Sequence, residues 1–210
     1  MVLTTPALTT PALTTPALAD GLGRIARHMD TVADELNALD GQLGDGDLGV
    51  TMIRGGVALR EILPTLPADV GMALMACAQA ITKVSGSSYG TLLATGLLAA
   101  AKATRGRTEV PWSETSALLR AALTAMMTRG KASLGDKTVL DALDAAATAA
   151  EGKAEPVEVL RDASAAVAAT LERMRGMQAK IGRARIFGER SVGLDDPGMR
   201  AFHEMLRGLA

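Results

Sequence analysis

The residues best suited to chemistry lie in Asp40-Gly41-Gln42-Leu43-Gly44-Asp45-Gly46-Asp47-Leu48-Gly49, where Asp40, Asp45 and Asp47 place three carboxylates inside eight residues. Carboxylates crowded without counter-charge repel one another. A hard divalent cation relieves that repulsion and accepts oxygen ligands, so three aspartates with phosphate oxygens and water suit Mg²⁺. The interleaved glycines let the backbone turn sharply enough for the carboxylates to converge. Asp and Gly are also ordinary turn formers, and a single Asp-Gly pair would signify a turn alone. A calcium EF-hand does not fit, because its twelfth position, counted from Asp45 or Asp40, falls on Gly56 or Thr51 where a bidentate Glu is required.

Three other stretches stand out. Ser85-Gly86-Ser87-Ser88-Tyr89-Gly90-Thr91 sets small residues, hydroxyls and backbone N–H groups ahead of an apolar helical run, a place where phosphate binds well. It lacks the Gly-Lys-[Ser/Thr] of a P-loop and describes a plain helix cap equally well. Thr128 to Asp141 closes one helix and opens the next, with Asp136 an eligible N-cap. Gly182 to Gly198 carries Arg183, Arg185 and Arg190 with Asp195 and Asp196; guanidinium groups suit planar oxyanions, and a solvated basic loop is the alternative. His28 and His203 lack any nearby arrangement of Ser, Cys or Asp that would make a catalytic base, so neither is assigned a role.

Helices must position these groups. Hydrophobic residues make up 48% of the 210 and aromatics only 2%, so the core is built from Ala, Leu, Val and Met, which suit close-packed helices. Apolar spacing predicts helices over Ala19–Leu39, Val50–Leu63, Ala68–Lys83, Tyr89–Thr104, Ser113–Arg129, Lys137–Ala150, Pro156–Met177 and Gly198–Leu209. Period-two alternation is missing, so essentially no sheet is expected. Leu3 to Ala17 is three copies of Leu-Thr-Thr-Pro-Ala. Its prolines forbid a continuous helix, so residues 1–18 are expected to be a disordered leader and 19–210 one domain.

A net charge of −1 supplies no general field for nucleic acid or an anionic membrane surface. The most apolar stretch, Thr91 to Ala101, is eleven residues long, short of the roughly 20 that span a bilayer. Cys77 is the only cysteine, in an apolar helical run, and reads as a buried small hydrophobe. With no secretory signal pattern either, the cytoplasm is the expected compartment.

Taken in order, LNALDGQLGDGDLG (36–49), TRGKASLGDKTVLDAL (128–143) and GRARIFGERSVGLDDPG (182–198) resemble the nucleotide-binding L subunit of dihydroxyacetone kinase. The resemblance runs from about Asp20 to Leu209. It implies an all-α, eight-helix antiparallel up-and-down barrel with ADP or ATP at one end. Asp40, Asp45 and Asp47 would be the ligands of Mg²⁺, as a pair of ions, and Gly49 and Thr51 would make phosphate and ribose contacts. Ser87 and Ser88 would form the phosphate turn, Gly130 and Val139 would hold the adenosine, and Asp196-Pro197-Gly198 would close over the site. Arg183 would meet the nucleotide and stabilise the transferring group. Leu48 stands where the family commonly has His or Cys, Thr51 where Asn is common, and the step between Ser88 and Tyr89 is shortened. The implied activity is phosphoryl transfer from Mg-nucleotide to a short ketose held by a separate K-type subunit. The donor would be ATP, or a retained ADP rephosphorylated by a phosphocarrier protein of a phosphotransferase system. A nucleotide-sensing regulatory module and a helical protein with a structural cation are the rival expectations.

Overall fold

The computed structural model describes residues 12–210. Among them the chain forms eight α-helices: α1 Thr15–Leu43, α2 Leu48–Ile62, α3 Val70–Val84, α4 Ser88–Thr104, α5 Thr115–Gly130, α6 Val139–Ala149, α7 Pro156–Arg175 and α8 Pro197–Leu209. Each helix packs on the next, and α8 returns to α1. The result is the expected all-α, antiparallel up-and-down barrel. The predicted boundaries of α2 to α8 are off by no more than two residues, because each helix ends at a polar cap, a Gly or a Pro that the sequence displays.

The N-terminus differs from expectation. Residues 12–18, assigned to the leader, carry a short strand β1 (Ala12–Thr14) and the first turn of α1. Pro16 sits at the start of the helix, where a missing N–H costs nothing, and Thr14 caps it by accepting from the Ala17 amide. β1 pairs antiparallel with β2 (Glu109–Pro111), Leu13 opposite Val110, so a two-stranded ribbon exists where no sheet was predicted. The remainder of the expected leader, residues 1–11, lies outside the described residues.

The core is made of small and flexible side chains, among them Met29, Leu36, Val70, Cys77, Leu140, Val167 and Met199, all buried. Burying each large aliphatic one stabilises by roughly 1.5–3 kcal/mol. Where bulk is absent the barrel keeps an interior apolar cavity of about 230 Å³, walled by residues such as Met29, Met52, Leu97, Met126 and Phe202. Burial pushes the Cys77 thiol up to about 11, as expected for an inert core cysteine. Among the described residues, no helix is long and apolar enough to cross a membrane.

Up-and-down order has one consequence for function. The connections α1–α2, α3–α4, α5–α6 and α7–α8 emerge at the same end of the barrel, and those four contain every stretch singled out for its chemistry.

Candidate functional site

These four connections line one cleft of about 530 Å³. Asp40 lies in the last turn of α1, and its Oδ2 accepts from the amides of Gly46 (2.9 Å) and Asp47 (3.0 Å). That bond curls the α1–α2 connection back on itself, and Gly46 takes the left-handed φ of +76° that the turn requires. Asp40, Asp45 and Asp47 can each offer one carboxylate oxygen such that all three lie within 4.8 Å of one another.

Two details test whether this cluster fits a cation. Asp47 is the N-cap residue of α2, yet its carboxylate makes no capping bond. Asn37 Oδ1 accepts the Val50 amide instead, at 3.2 Å, so an ordinary capping role does not account for Asp47. Asp45 is ion-paired with Arg183, the cluster thereby borrowing a positive charge from across the cleft. An acidic, all-oxygen donor set suits a hard divalent ion such as Mg²⁺.

On the α3–α4 side, Ser87 caps α4 by accepting from the Gly90 amide at 3.0 Å, and Ser85 Oγ lies 3.2 Å from Ser87 Oγ. The helix thus starts at once, at Ser88. It brings the partial positive charge of the α4 N-terminus, with the hydroxyls of Ser87 and Ser88, to the cleft wall. It also places Tyr89 in the first turn, its ring packed closely against Gly198. The Tyr89 hydroxyl is buried without a hydrogen-bond partner.

On the α5–α6 side, Gly130 ends α5 and Val139 begins α6, both lining the cleft. The N-cap is Thr138, not Asp136. Thr138 and Asp141 form a capping box in which Asp141 accepts from the Thr138 amide at 2.8 Å, while Asp136 accepts from the Ser133 amide within the loop. On the α7–α8 side, Arg183 opens a 3₁₀ segment, Ala184–Ser191, and Asp196 caps α8 through the Met199 amide at 2.8 Å. Burial pushes the Asp196 carboxyl up to about 7.

Asp40, Asp45, Asp47, Thr51, Ser87, Ser88, Gly130, Val139, Arg183, Asp196, Pro197 and Gly198 therefore all line the same cleft. Gly49 does not. A Cβ there would stand 2.0 Å from the Ala33 carbonyl oxygen, so its observed role is to let α2 approach α1. Leu48 is buried in the core with Met29, Leu36 and Met52 while touching the cleft. Sequence gives Asn37 and Tyr89 no role, because an Asn in a helix and a Tyr after a cap carry no local signal of what they will meet.

An acid-clustered, helix-capped, arginine-bearing cleft at one end of an eight-helix barrel is chemically suited to a phosphorylated, metal-bound ligand. Comparison with known proteins places the family. The DAK2 domain model matches residues 42–210, and the chain belongs to that family. It is 30% identical over 198 residues to the ADP-binding subunit DhaL of the PEP-dependent dihydroxyacetone kinase of Escherichia coli, spanning 92% of this chain and 94% of that one. It is 33% identical over 195 residues to human triokinase/FMN cyclase, covering 90% of this chain but only 33% of that longer protein. The crystal structure of the C. freundii dihydroxyacetone kinase superposes on the whole chain with a TM-score of 0.74 at 24% identity, across 37% of its own length. The same kinase in complex with AMP-PNP and Mg²⁺ superposes with a TM-score of 0.73 at 23% identity.

Proposed function

We propose that this chain is the Mg²⁺-nucleotide-binding phosphotransfer subunit of a dihydroxyacetone-kinase-type system. It would pass a phosphoryl group from the bound Mg-nucleotide, ATP or a rephosphorylated ADP, to a short ketose held by a separate K-type subunit. The observation that carries this is the convergence on one cleft of three aspartate carboxylates, the α4 N-terminus with Ser87 and Ser88, and Arg183. The relatives named for ADP binding, and the related kinase seen with AMP-PNP and Mg²⁺, support the ligand.

Asp40, Asp45 and Asp47 would hold Mg²⁺, as a pair of ions, which neutralises phosphate charge when bound. The α4 N-terminal amides and the Ser87 and Ser88 hydroxyls donate to phosphate oxygens. Arg183, released from Asp45, pairs with the group being transferred. Gly130 and Val139 offer a smooth wall for the adenosine, and Asp196-Pro197-Gly198 bounds the opposite side. Among the described residues no His or Cys lines the cleft; this chain's contribution is positioning and electrostatic stabilisation, with the ketose carried by the partner. The setting proposed is the cytoplasm, with ATP or a phosphocarrier protein as the ultimate donor.

The test titrates the purified chain with ADP and ATP, with and without Mg²⁺. It then supplies dihydroxyacetone and a K-type subunit with either ATP or a phosphocarrier system. Magnesium-dependent nucleotide binding is expected, with transfer only when the K-type subunit is present. Failure to bind either nucleotide overturns the proposal, and binding without transfer under both donors turns it into a nucleotide-sensing role.

A further inference from the structure

Lys137 does not line the cleft, yet it is the largest fully buried side chain among the described residues, 1% exposed. Burying an ammonium is unfavourable unless its protons are bonded. Here Nζ donates to the carbonyls of Met177 (2.8 Å), Ser191 (2.7 Å) and Arg175 (3.3 Å), which uses all three of its protons. Arg175 and Met177 stand at the C-terminal end of α7, where free carbonyls carry partial negative charge. Burial lowers the pKa of Lys137, against the pull of Asp196 and Asp195 and with the push of Arg175.

Reaching those carbonyls has a conformational cost. Lys137 takes φ +63°, in the left-handed region that a lysine ordinarily avoids. Strain of this kind persists where the surroundings demand one side chain in one direction. What they demand is a link between two connections. The α7–α8 connection closes into a ring about the ammonium: Gly193 N donates to the Arg175 carbonyl (2.8 Å), Ala179 N to Ser191 Oγ (2.9 Å), and Ser191 Oγ to the Gly188 carbonyl (2.6 Å). Lys180 N reaches across to the carbonyl of Asp136, beside Lys137, at 3.1 Å. Arg183 lies inside that ring, Asp196-Pro197-Gly198 follows two residues after it, and Thr138-Val139 follows Lys137.

We propose that Lys137 is a positioning residue for the nucleotide cleft: its ammonium fastens the α7–α8 connection to the head of α6. It thereby sets Arg183 and Asp196-Pro197-Gly198 in register with Thr138 and Val139 around one nucleotide. The proposal rests on the Mg-nucleotide reading of the cleft and adds the residue that holds its two sides together.

The experiment compares Mg-ADP affinity in the full chain, Lys137→Met, Arg183→Ala and the double variant, with Mn²⁺ alone as the probe of the carboxylates. Lys137→Met keeps the apolar stem and removes the donors. It should bind Mg-ADP about tenfold more weakly, while Mn²⁺ affinity without nucleotide stays within about twofold, because the carboxylates sit on the other connection. In the Arg183→Ala background the same change should cost less than about threefold, since Lys137 acts largely through Arg183. Lys137→Arg should not rescue, because a planar guanidinium cannot direct three protons as an ammonium does. Should Lys137→Met fail to fold, Ser191→Ala, which opens the same ring by removing one hydroxyl, should weaken Mg-ADP binding in the same direction. Unaltered Mg-ADP affinity, fully additive effects or rescue by Arg overturns the role of Lys137. A wild-type chain that takes up no Mg-ADP overturns the nucleotide reading itself, so the two failures are distinct.

Discussion

Asn37 accepts the Val50 amide at 3.2 Å and so does the capping that position would otherwise ask of Asp47. The carboxylate of Asp47 is left uncommitted beside Asp40 and Asp45. Replacing Asn37 with Ala should lower stability by about 1 kcal/mol, the usual worth of a cap, and draw Asp47 into capping. Magnesium-dependent nucleotide affinity should then drop several-fold in calorimetric titration, and an unchanged affinity would show that Asp47 is not held in reserve by Asn37.

Asp45→Asn and Asp47→Asn should separate binding from folding. Both carboxylates are exposed, and the Asp45–Arg183 pair is a surface one, so denaturant unfolding without metal should shift by no more than about 0.5 kcal/mol. Magnesium-dependent ADP binding should weaken at least about tenfold, since each change removes an anionic ligand. A variant that unfolds easily yet binds normally would reverse the assignment.

Gly49→Ala should do the opposite. The added methyl would fall 2.0 Å from the Ala33 carbonyl oxygen, so α2 must move away from α1, a strain of about 1–3 kcal/mol. The melting temperature should drop, and nucleotide affinity only as far as the displaced α2 carries Asp47 with it. Equal stability of the two proteins would contradict the close approach.

Asp196 gives the pH dependence. Burial raises its carboxyl to about 7, above the ordinary carboxylate value it has when unfolded, so the folded protein holds a proton that the unfolded chain has released between roughly pH 4 and 7. Stability from this group therefore falls as pH rises through that window and levels off above it. Asp196→Asn keeps an oxygen for the Met199 amide and removes the titration. The stability difference, variant minus wild type, should grow from pH 4 to pH 7 in denaturant unfolding, and a flat difference would refute the shift.

Much of this was legible in the sequence because it is local. The ends of α2 to α8 are marked by caps, Gly and Pro, and the three aspartates announce themselves by crowding. What was illegible depends on approach in space. Gly49 could be seen to matter but not that it faces Ala33. Asp136 and Thr138 are both eligible caps, and Asp141 decides between them by bonding the Thr138 amide. Nothing local marks Lys137 as buried, since Ser191, far along the chain, supplies its acceptor. The Leu13–Ala17 copy of Leu-Thr-Thr-Pro-Ala starts α1 because Leu13 finds Val110 and Pro16 falls where a helix tolerates it.

The closure of α8 onto α1 also says where the C-terminus lies. Arg24, near the start of α1, donates to the Ala210 carbonyl at 2.8 Å, and Leu209 packs over Gly21. The C-terminus thus packs on the early turns of α1, away from the cleft. Sequence order and spatial order trace the same circle, and nothing in the packing marks α1 as first. A covalent linker from Ala210 to Ala12, with a new opening at the exposed Gly152 between α6 and α7, would cut the circle elsewhere and leave all four cleft-forming connections unbroken.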